Sequence, residues 1–167
     1  QARARELGRQ PIRVAATALQ SGVYKTGYRD MVQSELTMRT AKIAYESAGI
    51  GPEDVDLAEI HDAFAIAELV YYEALGLCES GGGPALLDSG ATRIGGSKCV
   101  NPSGGLLCRG HPVGATGIAQ VCEAVWQLRG EAGARQVRGA RVALTHCTGG
   151  GVAGLDHGSC AVNLLVA

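Results

Sequence analysis

The stretch GATGIAQVCEAVWQLRG, residues 114–130, is an apolar segment bracketed by glycines. Its polar side chains Gln120, Glu123 and Gln127 recur at spacings of three and four, as on one face of an α-helix. The rest of the segment is almost entirely apolar. A helix with so thin a polar stripe is normally buried on most sides, so we expect this one to lie inside a layered fold.

Strands and helices alternate on both sides of this helix. Downstream, ARVALTH (140–146) and SCAVNLLV (159–166) predict two adjacent strands separated by a glycine-rich stretch. Upstream, the pattern predicts strand 12–19, helix 37–49 with Gly49 as its cap, strand 55–60, helix 65–77 and an irregular loop over 79–97. Such alternation predicts an α/β layered domain.

The composition of the 167 residues excludes several classes of protein. Hydrophobic residues make up 46% and aromatic ones 4%, so we expect an aliphatic core. A net charge of −1 with scattered basic residues does not fit nucleic-acid binding. Neither a membrane span nor a signal peptide is expected. The six cysteines lack metal-type spacing, so we expect no metal site and free thiols in the cytoplasm.

Three polar groups lie at predicted strand ends or in loops, where α/β proteins usually build their sites: His61 in IHDAF, His111 in GHPVGATG and Cys147 in HCTGGG. Nearby glycines let backbone amides approach an oxyanion. Two histidines and a thiol suffice for acyl transfer, as base, oxyanion donor and proton shuttle. No nucleotide-binding fingerprint is present, although a phosphate group held by Lys98 or Arg109 stays open.

Structural roles are the alternatives for these groups. His111 could cap the following helix, Cys147 could pack as a small hydrophobe, and His61 could satisfy a backbone group. The turns around His111 and the glycines after Cys147 favour function. His146 is expected to be structural because it alternates with Cys147 on the strand. The other cysteines are assigned to packing: Cys78, Cys99, Cys108, Cys122 and Cys160.

The segment NPSGGLLCRGHPVGATGIAQ (101–120), with HDAF (61–64) upstream and CTGGG (147–151) downstream, resembles the C-terminal half of the thiolase superfamily. The closest likeness is to the sterol-carrier-protein-type thiolases, also known as lipid-transfer proteins, and residues 72–96 and 124–137 fit the same branch. The likeness covers nearly all of the chain from about residue 12. The three motifs in this order are far more specific than any one alone.

The resemblance implies a five-layered αβαβα fold of two similar halves. Residues 1–167 would be the C-terminal domain, with a mixed sheet and helices on both faces. The nucleophilic cysteine of a thiolase lies in the N-terminal half, and none of the six cysteines here lies in that motif. We therefore expect the chain to be a piece of a longer protein or one subunit of a split enzyme, and to be inactive alone. A homo-oligomer is also implied.

The family implies Claisen condensation or thiolysis of acyl-CoA, with the CoA thioester as substrate and no cofactor. By motif, His111 would be the base that activates the nucleophilic cysteine of the N-terminal half. Cys147 would move a proton to or from the substrate carbon or the CoA sulfur. Gly149 would offer a backbone N–H to an oxyanion hole, and His61 would help to bind the carbonyl oxygen.

Two other functions stay open. Some thiolase-like proteins of this branch are retro-aldolases that cleave the side chain of steroid-CoA esters, work with an OB-fold partner and tend to use tyrosines. Tyr71 and Tyr72 lie on the predicted helix after HDAF, where packing explains them equally well. The third function is a non-catalytic lipid- or CoA-binding module. Retention of His111 and Cys147 favours the thiolase, and the intact CTGGG motif weighs against the binding module.

Overall fold

The computed structural model describes residues 3, 6–24, 30–152 and 156–167, and at residues 152, 156 and 157 the backbone alone. Within these residues the strands are β1 (Arg13–Ser21), β2 (Leu57–Glu59), β3 (Cys99–Val100), β4 (Val142–Val152) and β5 (Asp156–Val166). The α-helices are α1 (Glu35–Ala48), α2 (Ala65–Ala74), α3 (Gly83–Asp88), α4 (Gly105–Arg109) and α5 (Thr116–Arg129). Short 3-10 turns lie at Pro52–Asp54 and Gly133–Arg135.

These strands form one mixed sheet in the order β1-β5-β4-β2-β3. The consecutive strands β4 and β5 pair antiparallel, as their adjacency in sequence suggests, and β1 adds antiparallel to β5. β2 runs parallel to both β4 and β3. Parallel neighbours need crossover connections, which place helices on the faces of the sheet. The predicted α/β architecture with a mixed sheet is therefore confirmed.

Helices cover both faces of this sheet. α1 packs on β1 and β5 and, with α2, encloses the larger apolar cluster, in which Leu36, Ala44 and Tyr72 are buried. α5 packs on β4 and β2 over a smaller cluster that contains Leu57. Gly49 ends α1 with a φ of 64°, the left-handed cap predicted for it. No helix in the described part of the chain is both long and apolar enough to cross a bilayer.

α5 turns its polar stripe inward. Gln120, Glu123 and Gln127 are buried against the sheet, whereas Ile118 is 68% and Trp126 46% exposed. The sequence predicted a helix buried on most sides. In the described residues α5 covers its polar stripe together with the apolar Ala124 and Leu128, and leaves Ile118 and Trp126 open.

Two predicted boundaries are wrong. The stretch 79–97, expected to be irregular, contains α3, because a proline such as Pro84 suits the first turn of a helix. β4 runs on through the CTGGG motif, so Cys147 lies inside a strand rather than in a loop after it. The reason is that pairing with β5 continues beyond Cys147, through Gly149 opposite Ser159.

The cysteines are all free thiols, but their packing is not uniform. Cys99 and Cys160 are buried, as predicted, and Cys78 is half-buried. Cys108 and Cys122 are exposed, so their assignment to packing is wrong for the described structure. Cys108 and Cys122 are exposed because they lie on the outward sides of α4 and α5.

Candidate active site

His61, His111 and Cys147 lie together at one end of β2 and β4. Glu59 of β2 pairs with Thr145 of the parallel strand β4, so the residues two positions further on come side by side. Cys147 Sγ lies 3.5 Å from His61 Nδ1. The ring of His111 meets that of His61 edge-on, with their centroids 4.9 Å apart. Three groups from separate parts of the sequence thus form one cluster.

Thr116, at the start of α5, orients the His111 ring. His111 Nδ1 lies 2.8 Å from Thr116 Oγ1, and the Thr116 hydroxyl is within 3.2 Å of the Pro112 carbonyl, to which it donates. Because that hydroxyl has one proton, Thr116 Oγ1 accepts from His111 Nδ1–H. The network therefore assigns the His111 tautomer whose Nε2 carries a lone pair. An imidazole in this state is a proton acceptor at Nε2.

Cys147 is held as a neutral thiol. Burial raises the pKa of the Cys147 thiol above its usual value, and the positive charge of Arg109 opposes part of that shift. A protonated thiol can donate to His61 Nδ1 or to a carbanion. Gly149 is exposed two residues further along β4, opposite Ser159. The roles given to these residues by motif stay predictions.

Two buried carboxylates that sequence reasoning did not single out hold the turn before His111. Glu59 accepts hydrogen bonds from Ser103 N at 3.0 Å and Ser103 Oγ at 2.7 Å. Asp62 accepts from Leu106 N at 2.7 Å and lies 3.4 Å from Leu107 N. The available signal was three acidic residues, Asp56, Glu59 and Asp62, in the largely apolar segment VDLAEIHDAF, since buried acids need partners.

His146 lies next to this cluster, because the backbone N–H of His61 donates to His146 Nδ1 at 3.4 Å. His146 alternates with Cys147 on β4, is fully buried, and places its Nε2 3.1 Å from Thr37 Oγ1 of α1. The Tyr71 ring packs against His146 at 4.5 Å, and the Tyr72 hydroxyl donates to Glu68 Oε1 at 2.5 Å. These contacts are consistent with packing roles.

A groove of about 460 Å³ adjoins the site along α5 and the turn before it. Its lining includes Arg109, Ile118, Cys122 and Trp126. The Nε and Nη2 atoms of Arg109 are buried and have no hydrogen-bond partner among the described residues. Lys98, by contrast, donates to the carbonyls of the 52–55 turn, so it is occupied structurally. No group of three metal-ligating side chains occurs in the described residues.

Comparisons with known proteins identify the family. The family model described as thiolase C-terminal domain-like matches residues 19–156. Sterol carrier protein 2 of Rattus norvegicus is 56% identical over 124 residues, which are 74% of this chain and 23% of that protein. Benzoylsuccinyl-CoA thiolase subunit BbsB of Thauera aromatica is 49% identical over 144 residues, 86% of this chain and 37% of the relative.

Two further comparisons agree with these. Acetyl-CoA acetyltransferase of Methanothermobacter thermautotrophicus is 49% identical over 148 residues, 88% of this chain and 39% of the relative, so the chain spans less than half of each of these curated relatives. The solved structure of the Ltp2-ChsH2(DUF35) aldolase has the same fold, with a TM-score of 0.81 at 23% identity, over 100% of this chain and 42% of that one. The chain therefore belongs to the thiolase C-terminal domain-like family.

Proposed function

We propose that residues 1–167 are the C-terminal domain of a thiolase-type acyl-CoA acyltransferase and supply the acid–base half of its active site. The observation that carries this proposal is the convergence of His61, His111 and Cys147, with a proton acceptor at His111 Nε2 and a neutral thiol at Cys147. Relatives named as a thiolase subunit and as an acetyl-CoA acetyltransferase support a CoA thioester as the substrate.

In thiolysis of a 3-ketoacyl-CoA, His111 takes the proton of the nucleophilic cysteine that the N-terminal half provides. The resulting thiolate attacks the 3-keto carbon, and His61 helps to bind the carbonyl oxygen. The C2–C3 bond then breaks. The acyl group remains on the nucleophilic cysteine, and the departing acyl-CoA carbanion takes the proton of Cys147.

The second half-reaction returns every group to its starting state. The Cys147 thiolate takes the proton of CoA-SH, and the CoA sulfur attacks the acyl-cysteine. The amide of Gly149 stabilises the oxyanion that develops on the carbonyl. The nucleophilic cysteine leaves as a thiolate and regains its proton from His111. Claisen condensation is the same sequence in reverse, and neither direction needs a metal or a cofactor.

The N-terminal half would lie on the outer side of α5. Ile118 and Trp126 are exposed there, and Arg109, which lines the adjoining groove, has donors without a partner in the part of the chain that the structure describes. Large apolar side chains grouped on one face of a helix are typical of an interface. This arrangement would bring the nucleophilic cysteine toward His111. Assembly of the complete protein into a homo-oligomer is part of the same proposal.

The test uses the complete protein, with the N-terminal half either continuous with this chain or supplied as a subunit. Thiolysis is followed as 3-ketoacyl-CoA and CoA converted into two acyl-CoA products, identified by mass spectrometry. We expect His111→Ala and Cys147→Ala each to lower kcat by about a thousandfold, the typical contribution of general acid–base groups. Cys78→Ala, at a half-buried cysteine after α2, is the matched control and should stay near the parent rate.

Other outcomes contradict the proposal. Full activity in both variants would remove His111 and Cys147 from the reaction. Release of an aldehyde or ketone from a β-hydroxyacyl-CoA without consumption of CoA, in the presence of an OB-fold partner, would identify the retro-aldolase. Acyl-CoA or lipid binding without turnover would identify the non-catalytic module.

A further inference from the structure

Residues 58–62 do two things at once, because they carry His61 and hold the turn that leads to His111. Glu59 is fully buried, and its two carboxylate oxygens separately accept the N–H and the O–H of Ser103. Asp62 is 1% exposed and accepts from the amide of Leu106 at 2.7 Å. The two acids stand on either side of His61 and reach across more than 40 residues of sequence.

The turn has the shape that these acids require. Gly105 has a φ of +63°, and a Cβ placed on it would lie 2.1 Å from Asp62 Oδ2. Asn101, with a φ of 47°, accepts from Ile60 N at 2.8 Å through its side-chain oxygen. Glycine adopts a left-handed backbone freely, but at a residue such as Asn101 it is uncommon and costs free energy unless contacts fix it. Contacts from residues 58–62 hold the turn, together with hydrogen bonds inside it from Gly104 N to the Asn101 carbonyl and from Gly105 N to Ser103 Oγ.

The short helix α4 (Gly105–Arg109) leads from this turn directly to His111, which follows it after Gly110. His111 in turn meets His61 edge-on at 4.9 Å. The His61 and His111 rings are therefore both positioned by the same five residues of β2 and its continuation. A shift of the turn by a fraction of an ångström would move His111 relative to Cys147 as well.

We propose that Glu59 and Asp62 are positioning residues, which hold the 101–107 turn against β2 so that His111 meets His61 and Cys147. This inference rests on the proposed function for its effect on catalysis. Neither acid touches the reacting atoms. Their task is geometric, and a misplacement of about 1 Å in a catalytic group can cost roughly a hundredfold in rate.

Carboxylates fit this task better than amides. Ser103 offers two donors to Glu59, and Gly105 N, 3.2 Å from Ser103 Oγ, offers a third to the serine itself. An amide at position 59 would turn one acceptor into a donor and so break one of the two bonds. Glu59→Gln therefore loosens the turn with almost no change in side-chain volume.

The same substitution should not destabilise the protein at pH 8. Burial raises the pKa of Glu59 from 4.5 to about 7, although the hydrogen bonds from Ser103 lower it. Because the folded state binds this proton more tightly than the unfolded state, stability falls as pH rises from 4.5 to 7 and stays lower above it. Removing the charge relieves that cost. A positioning role therefore predicts a lower kcat without a lower melting temperature, whereas a general structural role predicts that both fall.

The experiment compares Glu59→Gln, Asp62→Asn and Gly105→Ala in the complete protein, with the exposed Glu46→Gln on α1 as the matched control. We measure kcat and KM for thiolysis, the melting temperature at pH 8, and hydrogen exchange of residues 101–107. We expect each of the three to lower kcat by roughly tenfold to a hundredfold, with KM changing less than about threefold. Faster exchange over 101–107 should accompany this, with an unchanged or higher melting temperature for Glu59→Gln.

Two results would overturn the proposal. Exchange and kcat equal to those of Glu46→Gln would show that the acids do not hold the turn. If Glu59→Gln lowered kcat, raised KM and lowered the melting temperature together, the two acids would support the fold in general. If the unmodified protein performs no thiolysis, the proposed function fails, and the exchange data alone still decide whether Glu59 and Asp62 fix the turn.

Discussion

The two helices that cover the sheet are equal in length and opposite in construction. α1 and α5 each have 14 residues and each end at a glycine in the left-handed region. On α1, Leu36, Ala41 and Ala44 face the sheet, while Lys42 and Glu46 point outward with side chains 75% and 66% exposed. This is the usual pattern of a helix between a core and water.

α5 departs from that pattern, although its Ala124 and Leu128 are buried against the sheet. Three of its buried positions are Gln120, Glu123 and Gln127, and its outward side chains include Ile118 and Trp126. The inward polar side chains all make hydrogen bonds, although Gln120 Oε1 has no partner among the described residues. Gln120 Nε2 donates to the carbonyl of His146 at 3.0 Å, and the other two bond to the 135–137 segment.

The polarity of each helix is set by what lies on each of its sides. α1 needs apolar contacts to the sheet and water outside. α5 packs Ala124 and Leu128 on the sheet. Its polar stripe adds hydrogen bonds to His146 and to the 135–137 segment, and Ile118 and Trp126 are left for a second protein layer. A helix built in this way is expected in the middle of a layered fold, where neither face meets water.

Replacing an inward polar side chain of α5 should destabilise the protein more than replacing an outward one of α1. Gln127 Oε1 accepts from Val137 N at 2.7 Å, and Gln127 Nε2 donates to Arg135 O at 2.8 Å. Gln127→Met keeps the volume but leaves both backbone groups without partners, so the free energy of unfolding should fall by about 3 kcal/mol. Urea denaturation of the complete protein measures this. Lys42→Met on α1 is the control, with a change within about 0.5 kcal/mol.

If Gln127→Met were as well tolerated as Lys42→Met, the polar stripe would not be what holds α5. The two helices would then differ in composition but not in the forces that attach them. The sheet-facing sides of α1 and α5 would then contribute to stability in the same way.

The sequence predicted the existence of both helices but not the orientation of α5. Periodicity identifies two faces of different character, and Gln120, Glu123 and Gln127 were recognised as one of them. Which face turns inward depends on partners such as the carbonyl of His146, 26 residues away. Those partners are fixed by the pairing of β4 with its neighbours, which no local pattern contains.

The candidate site also contains residues that the sequence predicts and residues that it does not. His61, His111 and Cys147 stand out because short motifs mark them, with glycines beside His111 and Cys147. Glu59, Asp62 and Thr116 were missed. The two acids act on the turn more than 40 residues away, so their role becomes visible once β2 and that turn are placed together. Thr116 is local to His111, but a threonine at a helix start is common and carries no signal by itself.

The second prediction tests the outer faces. Trp126 on α5 and Met38 on α1 are almost equally exposed, at 46% and 47%. If another protein layer covers α5, Trp126→Ser should weaken assembly with the N-terminal half by about 2 kcal/mol, roughly thirtyfold in the dissociation constant. Met38→Ser should leave it unchanged. Both are measured by titrating separately produced halves. Equal effects would mean that α5 has no special partner.

The ion pairs of the two helices should differ by a smaller amount, in the coupling free energy between their two side chains. Arg135 Nη2 lies 2.9 Å from Glu123 Oε2, and the carboxylate is 3% exposed. On α1, Lys42 Nζ and Glu46 Oε1 are 3.9 Å apart and both side chains face solvent. The attraction between a buried carboxylate and a guanidinium is weakened less by water and salt than the attraction within an exposed pair.

Double-mutant cycles in urea denaturation measure the two pairs directly. We expect a coupling of about 1 kcal/mol for Glu123–Arg135 and less than about 0.3 kcal/mol for Lys42–Glu46. Within the first cycle, Arg135→Gln should be the more harmful single change, because it leaves a buried carboxylate without its positive partner. Glu123→Gln leaves an arginine that can turn to water. Reversal of that order would mean that the inner side of α5 is open to water and resembles the outer side of α1.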